Sequence, residues 1–264
     1  MNITVCYTFI SKAIISMLVI YVISIKTTYS QSIGDYKSIE SGNWNDASIW
    51  QKYNGSSWES TTDYPCENYS PNLITISIGN NVSTNCTIDS IPIINITIQT
   101  FSKFTIHSKD LVIQGKVSIY GTFINESNLG IINCQNLEIS QGYWVNNADK
   151  TFIINSKLIL ENASIEGSSV STFEILGTLE TKLNSDNYID KAGFNVLGKS
   201  YLKGNINFTS VSGTKIFNDT VFVFHCKWIN TIGETFTCKK NMIIESSEII
   251  NQAPAQFDIT GNLI

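Results

Sequence analysis

Arginine is missing from this sequence: all 17 basic residues are lysine. Bidentate guanidinium recognition of phosphate, carboxylate or guanine is therefore excluded. A net charge of −5, a pI of about 5.1 and the lack of a basic run remove nucleic acid from the expected partners. Histidine occurs only at His107 and His225, far apart in sequence, and no C-x-x-C or comparable ligand spacing is present. Neither a metal site nor a cofactor is expected from these residues. Alanine and leucine are sparse while isoleucine, threonine, serine, asparagine and glycine are frequent, which favours strands and polar turns. The 264 residues, 42% hydrophobic and 15% charged, read as an all-β chain.

Long apolar runs are scarce too. Lys12 precedes the stretch Ala13 to Ile25, interrupted only by Ser16 and Ser24, and small residues at Thr28 and Ser30 follow. A bilayer span takes ~20 apolar residues, so this shorter run reads as a secretory signal over residues 1–30. An uncleaved signal-anchor, extended back through Val5, is the alternative. The expected location is secreted or cell-surface, where disulfides are permitted. With Cys6 removed, Cys66 and Cys86 are the first candidate pair and Cys226 with Cys238 a second; the competing reading makes the cysteines small core residues.

From residue 111 to residue 264 the chain repeats every 21 residues. Ile131, Phe152, Phe173, Phe194, Lys215, Phe236 and Phe257 form one column; Asn133, Ile154, Ile175, Val196, Phe217, Cys238 and Ile259 form the next. A third holds Leu137, Leu158, Leu179, Ser200, Val221, Met242 and Leu263, and the unit from Leu111 joins if its step is 20. Alternation within a unit says strand, and a fixed period says the strands stack in register. The prediction is a parallel β-helix, a solenoid with ~4.8 Å between coils and a right-handed sense. Gly115, Gln135, Ser156, Gly177, Gly198, Asp219, Lys240 and Gly261 share a column where the backbone is expected to bend. The last residue falls within a coil, which exposes strand edges, so truncation or the packing of a further module on the C-terminal end is expected.

Residues 31–110 lack this period and read as an N-terminal β module that caps the solenoid. Trp44, Trp50 and Trp58 are separated by even numbers of residues, six and eight, and could share one face if the Asn54-Gly55 hairpin signal preserves parity. Gly42-Asn43-Trp44, Asn45-Asp46-Ala47-Ser48, Trp50, the Tyr53-Asn54-Gly55 turn, and Thr75 to Val82 around Gly79-Asn80-Asn81 carry a resemblance. The segment resembles the opening of secreted, adhesin-like β-helix proteins common in Bacteroidota, and more distantly the eight-glycine extracellular domain. That resemblance implies a non-catalytic extracellular module. The family's glycine-histidine turn reads Gly79-Asn80 here, so nothing that depends on its histidine carries over.

No catalytic constellation stands out. A calcium-dependent lyase would need a carboxylate column and a basic residue, usually arginine; a hydrolase would need paired aspartates. Asp219 reads as a bend residue. Asp186 and Asp190 in a polar loop are candidate calcium ligands without the spacing of a known loop. Trp144 and Trp228 share the 21-residue column that also holds Ile165, Asp186 and Asn207, with Tyr143 and Lys227 beside them. Tryptophans among polar neighbours on a flat β face could stack on sugar rings, while packing inside the coil is the competing reading. Beyond the export signal, nine Asn-x-Ser/Thr sequons, among them Asn54, Asn125, Asn162 and Asn207, are mostly what chance supplies in such a composition. The expectation is a non-enzymatic, adhesin-like β-helix binding an extracellular polysaccharide or cell-surface glycan. An inactive or atypical polysaccharide-active enzyme and a structural stalk are the alternatives.

Overall fold

Phe152, Phe173 and Phe194 lie one above another in adjacent parallel strands, as a 21-residue step requires. The computed structural model describes residues 31–68, 70–84, 93–107, 111–126, 132–148, 151–168, 172–191, 193–209, 214–230, 235–252 and 256–264. Residues 1–30, with the expected export signal, lie outside them, as does Cys86. The described chain from Ser32 to Ile264 is a single unit, a parallel β-solenoid with coils of about 21 residues.

Each coil has three faces. The first is built from the opening residues of Leu111–Ile119, Ile132–Ser140 and Thr151–Glu161, then Thr172–Ile175, Gly193–Val196, Lys215–Phe217, Thr235–Cys238 and Gln256–Ile259. The second continues after a bend and includes Asn95–Ile98, Thr178–Thr181 and Met242–Glu245. The third contains Lys103–Ile106, Thr122–Asn125, Tyr143–Asn146, Ser164–Gly167, Asp186–Asp190 and Glu248–Asn251. Alternation sends every second side chain inward, so one contiguous core runs the length of the stack.

The columns come out largely as expected. The phenylalanine column stacks with ring centroids 5.3 Å apart for Phe173–Phe194 and 5.1 Å for Phe236–Phe257; such pairs add about 1 kcal/mol each beyond burial. Lys215 completes the column while fully buried, its ammonium 5.8 Å from the Phe208 ring. Leu137, Leu158, Leu179, Ser200, Val221, Met242 and Leu263 also stack in register. Two columns slip in one coil: Phe152 pairs with Ile132, not Ile131, and Ile154 with Cys134, not Asn133, and the register recovers across a bulge before Asn136. The slip keeps an amide out of the core, since one residue of shift exchanges the faces; Cys134 is buried and Asn133 is half-buried.

The bend between the first and second faces falls at the expected column. A Cβ on Gly177 would stand 1.6 Å from the Ser156 carbonyl oxygen, and one on Gly198 would stand 2.2 Å from that of Gly177. Backbone approaches backbone here, so only glycine fits at these two rungs. Asp219 lies in the same column, caps the Thr220 N–H at 2.6 Å and pairs with Lys240 at 3.2 Å, as its reading as a bend residue anticipates.

The expected boundary at residue 110 is not a structural break. Leu73–Ile76 and Asn95–Ile98 form parallel rungs continuous with Val117–Ile119, and Asn81–Thr84 and Lys103–Ile106 do the same on the third face. These short strands precede the strict period because their connections vary in length. The cap proper is smaller. Tyr36–Ser38 pairs parallel with Leu73–Ile76 on one side and antiparallel with Trp50–Tyr53 on the other; Trp50–Tyr53 forms a hairpin with Trp58–Ser60. Asn54 closes that hairpin by accepting the N–H groups of Ser56 and Ser57, each at 2.8 Å.

The three tryptophans do not share a surface. Trp44 and Trp50 are buried edge to face, centroids 5.2 Å apart, with Trp44 against Phe104 at 5.4 Å. Their indole N–H groups donate to the Pro65 and Trp44 carbonyls, both at 2.9 Å. Trp58 sits on the hairpin under the Lys37 ammonium, 4.7 Å from the ring centroid.

Candidate functional site on the third face

The strand Tyr143–Asn146 places its residues out, in, out, in: Tyr143 is 58% exposed and Trp144 is 0% exposed. Trp144 packs on Phe123 at 4.2 Å and on Phe152 at 4.4 Å. Trp228, also 0% exposed, is surrounded by Phe208, Phe217, Phe236 and Phe257. Both indoles are core, which overturns them as a surface platform. Their polar sequence neighbours, Tyr143 and Lys227, take the solvent side instead.

Nor do the two tryptophans share a column. Trp144 pairs with Ile165, Ile165 with Ile189, Ile189 with Phe208 and Phe208 with Asn230, whereas Trp228 pairs with Ile206. The step from Ile165 to Ile189 is 24 residues. The extra length is taken up at the corner between the second and third faces, where Asn162, Asn184, Gly204, His225 and Ser246 each adopt positive φ. Left-handed single residues turn a strand sharply, and asparagine tolerates the conformation well.

This long coil has a local consequence. Tyr143 pairs with Ser164, Ser164 with Tyr188, and Tyr188 with Asn207, so the four form one outward column. Tyr143 and Tyr188 are 58% and 49% exposed. Two rungs separate them, ~10 Å along the axis, and the small Ser164 lies between. Among the described residues no aromatic ring packs on either tyrosine. The contrast is the outward pair Tyr201 and Phe222 on the second face, stacked at 5.1 Å and 5°, whose ring faces cover one another.

Tyr188 is held in place from below. Its neighbour Asn187 is fully buried, accepts the Ala163 N–H at 3.1 Å and donates to Ser185 Oγ at 2.8 Å. Asp186 begins the strand: its N–H donates to Asn162 Oδ1 at 2.9 Å and its carboxylate accepts from Asn205 Nδ2 at 2.5 Å. The structure therefore brings Tyr143 and Asn207 together, adds Tyr188, and sets Lys227 in the neighbouring column with Asn205 and Glu248. Tyr188 escapes a strict 21-residue alignment, which assigns Ser185 to that place. Its signal in the sequence is the alternation Asn187-Tyr188-Ile189 inside the polar loop.

Asp186 and Asp190 lie at the two ends of one extended strand, ~13 Å apart along the chain, too far to share one ion. Among the described residues no three His, Cys, Asp or Glu side chains are grouped to hold a metal. His107 pairs with Glu126 at 3.0 Å. His225 lines a shallow, open groove with Asn205, Cys226, Lys227, Ser246, Ser247 and Glu248. Burial pushes the Cys226 thiol up to about 12, which denies that groove a thiolate. Cys66, Cys134, Cys226 and Cys238 are free thiols. Cys86, the expected partner of Cys66, lies outside the described residues; burial raises the Cys66 thiol to about 12 as well. Comparison with protein-family models, curated proteins and solved structures finds no match to this chain.

Proposed function

We propose that this is an exported, non-catalytic β-solenoid that binds glycan on its third face through Tyr143 and Tyr188. The observation that carries the reading is the outward column Tyr143, Ser164, Tyr188, Asn207, with two open tyrosine rings flanking a small hydroxyl residue. Aromatic faces stack on the C–H faces of pyranose rings, and side-chain amides and hydroxyls match their hydroxyl groups. The coil extension supports it, because in repeat folds local insertions collect on the binding face. Export rests on the apolar run Ala13 to Ile25, and an adhesin-like role on the resemblance of residues 35 to 100. The test is affinity electrophoresis through gels containing individual polysaccharides. Wild type is expected to be retarded by at least one polymer, and a Tyr143→Ala, Tyr188→Ala double variant with an unchanged melting temperature is expected to run freely. Equal retardation of both proteins would sink the assignment.

A further inference from the structure

We infer that the tyrosine column takes an uncharged, extended pyranose chain lying parallel to the solenoid axis, and that its flanking carboxylates reject acidic polysaccharides. The inference rests on the glycan reading above. Direction follows from placement: Tyr143 and Tyr188 are aligned along the axis, two rungs apart. That spacing is ~10 Å, the reach of a disaccharide in an extended chain.

Charge follows from what surrounds them. Glu166 and Asp190 pair in the outward column on one side, two residues along the strands from Ser164 and Tyr188, ~7 Å away. Asp186 stands two residues from Tyr188 on the other side. Among the described residues the cations on this face include Lys103, two rungs before Tyr143 in the same column and therefore at one end of the tyrosine pair, Lys227, ion-paired with Glu248 at 3.6 Å, and Lys191 beyond the end of the strand. A sugar on the tyrosines thus meets carboxylates on both flanks. They accept hydrogen bonds from hydroxyl groups and repel uronate or sulfate at distances within the Debye length, about 10 Å at 0.1 M salt.

The experiment compares a neutral galactomannan with polygalacturonate in the same electrophoretic assay at low salt. Wild type is expected to be retarded at least fivefold more strongly by the neutral polymer. A Glu166→Gln, Asp190→Asn variant is expected to gain retardation by polygalacturonate, and wild type is expected to gain some when salt screens the same charges, a measurement that needs no variant. Equal or stronger retardation of wild type by polygalacturonate overturns the inference while leaving glycan binding in place. Retardation by neither polymer, nor by any other in the panel, overturns the glycan reading itself. A folded variant as indifferent to polygalacturonate as wild type, together with no effect of salt, removes the carboxylates from the explanation.

Discussion

Asn187 Oδ1 accepts the backbone N–H of Ala163, one rung earlier, across 3.1 Å in a fully buried setting. Replacing Asn187 with alanine strands that donor and opens space beneath Tyr188. The expected loss is about 2 kcal/mol of stability, read by thermal melting, together with weakened glycan retention. Tyr188→Ala is expected to weaken retention with the melting temperature within a degree or two of wild type. The pair separates support of the site from contact with the ligand.

Glycine substitutions are expected to divide sharply by rung. Gly177→Ala forces a methyl against the Ser156 carbonyl, where the nearest atoms are all backbone, and is expected to destabilise by more than about 3 kcal/mol. Gly79→Ala has nothing within 4 Å but holds φ at +80°, so it is expected to cost about 1 kcal/mol from conformation alone. Urea denaturation of both proteins measures the difference.

Acid is expected to weaken a lysine–glutamate comb on the second face. Glu180 is hydrogen-bonded first by Lys157 and then by Lys182, at 2.5 and 2.8 Å, which hold its carboxyl down to about 2 from the ordinary 4.5. A depressed folded-state value means stability that is present above the unfolded value and lost as the pH falls from about 4.5 to about 2. Because both lysines are partly exposed and screened, the loss is set at about 1 kcal/mol. Melting temperatures across this window should fall less steeply for Glu180→Gln than for wild type.

Lys215 occupies a phenylalanine position in the first-face column, between Phe194 and Phe236. Methionine has nearly the same length and carries no charge to desolvate. Lys215→Met is expected to fold and to melt at or above the wild-type temperature. A loss of about 2 kcal/mol would instead show that the ammonium's contacts hold it better than the apolar column would hold a thioether.

Free, buried thiols predict slow chemistry. Cys66 and Cys226 are raised to about 12 by burial, and burial pushes Cys134 upward as well. Native alkylation followed by mass spectrometry should leave these three unmodified over times that label them completely in urea. Rapid native labelling of Cys226 would show that the corner beside His225 opens.

Legibility of the fold in the sequence differed between faces for a physical reason. On the first and second faces a tight bend at Gly177 and Gly198 leaves no room for an extra residue, so a fixed count locates Phe173 over Phe152 and Leu179 over Leu158. The corner before the third face turns on single left-handed residues and tolerates one coil lengthened before Tyr188. Counting therefore misplaced Trp228 relative to Trp144, missed Tyr188, and set Asn207 over Trp144 where the structure sets it in the column of Tyr143. Which of two adjacent aromatic residues, Tyr143 or Trp144, points outward depends on strand parity, and polar neighbours do not reveal it. The same limit applies to Trp44 and Trp50, whose even spacing was read as a surface and is an end plug.

That end plug has a further bearing. A parallel ladder could in principle grow by one rung at a time, each new strand copying the direction of the last. Beyond Tyr36–Ser38 the next strand, Trp50–Tyr53, runs the opposite way, and Trp44 and Trp50 close the core behind it. On this face the direction of the ladder is reversed at its outermost described rungs, so a coil of another molecule arriving there meets a strand that runs against the stack.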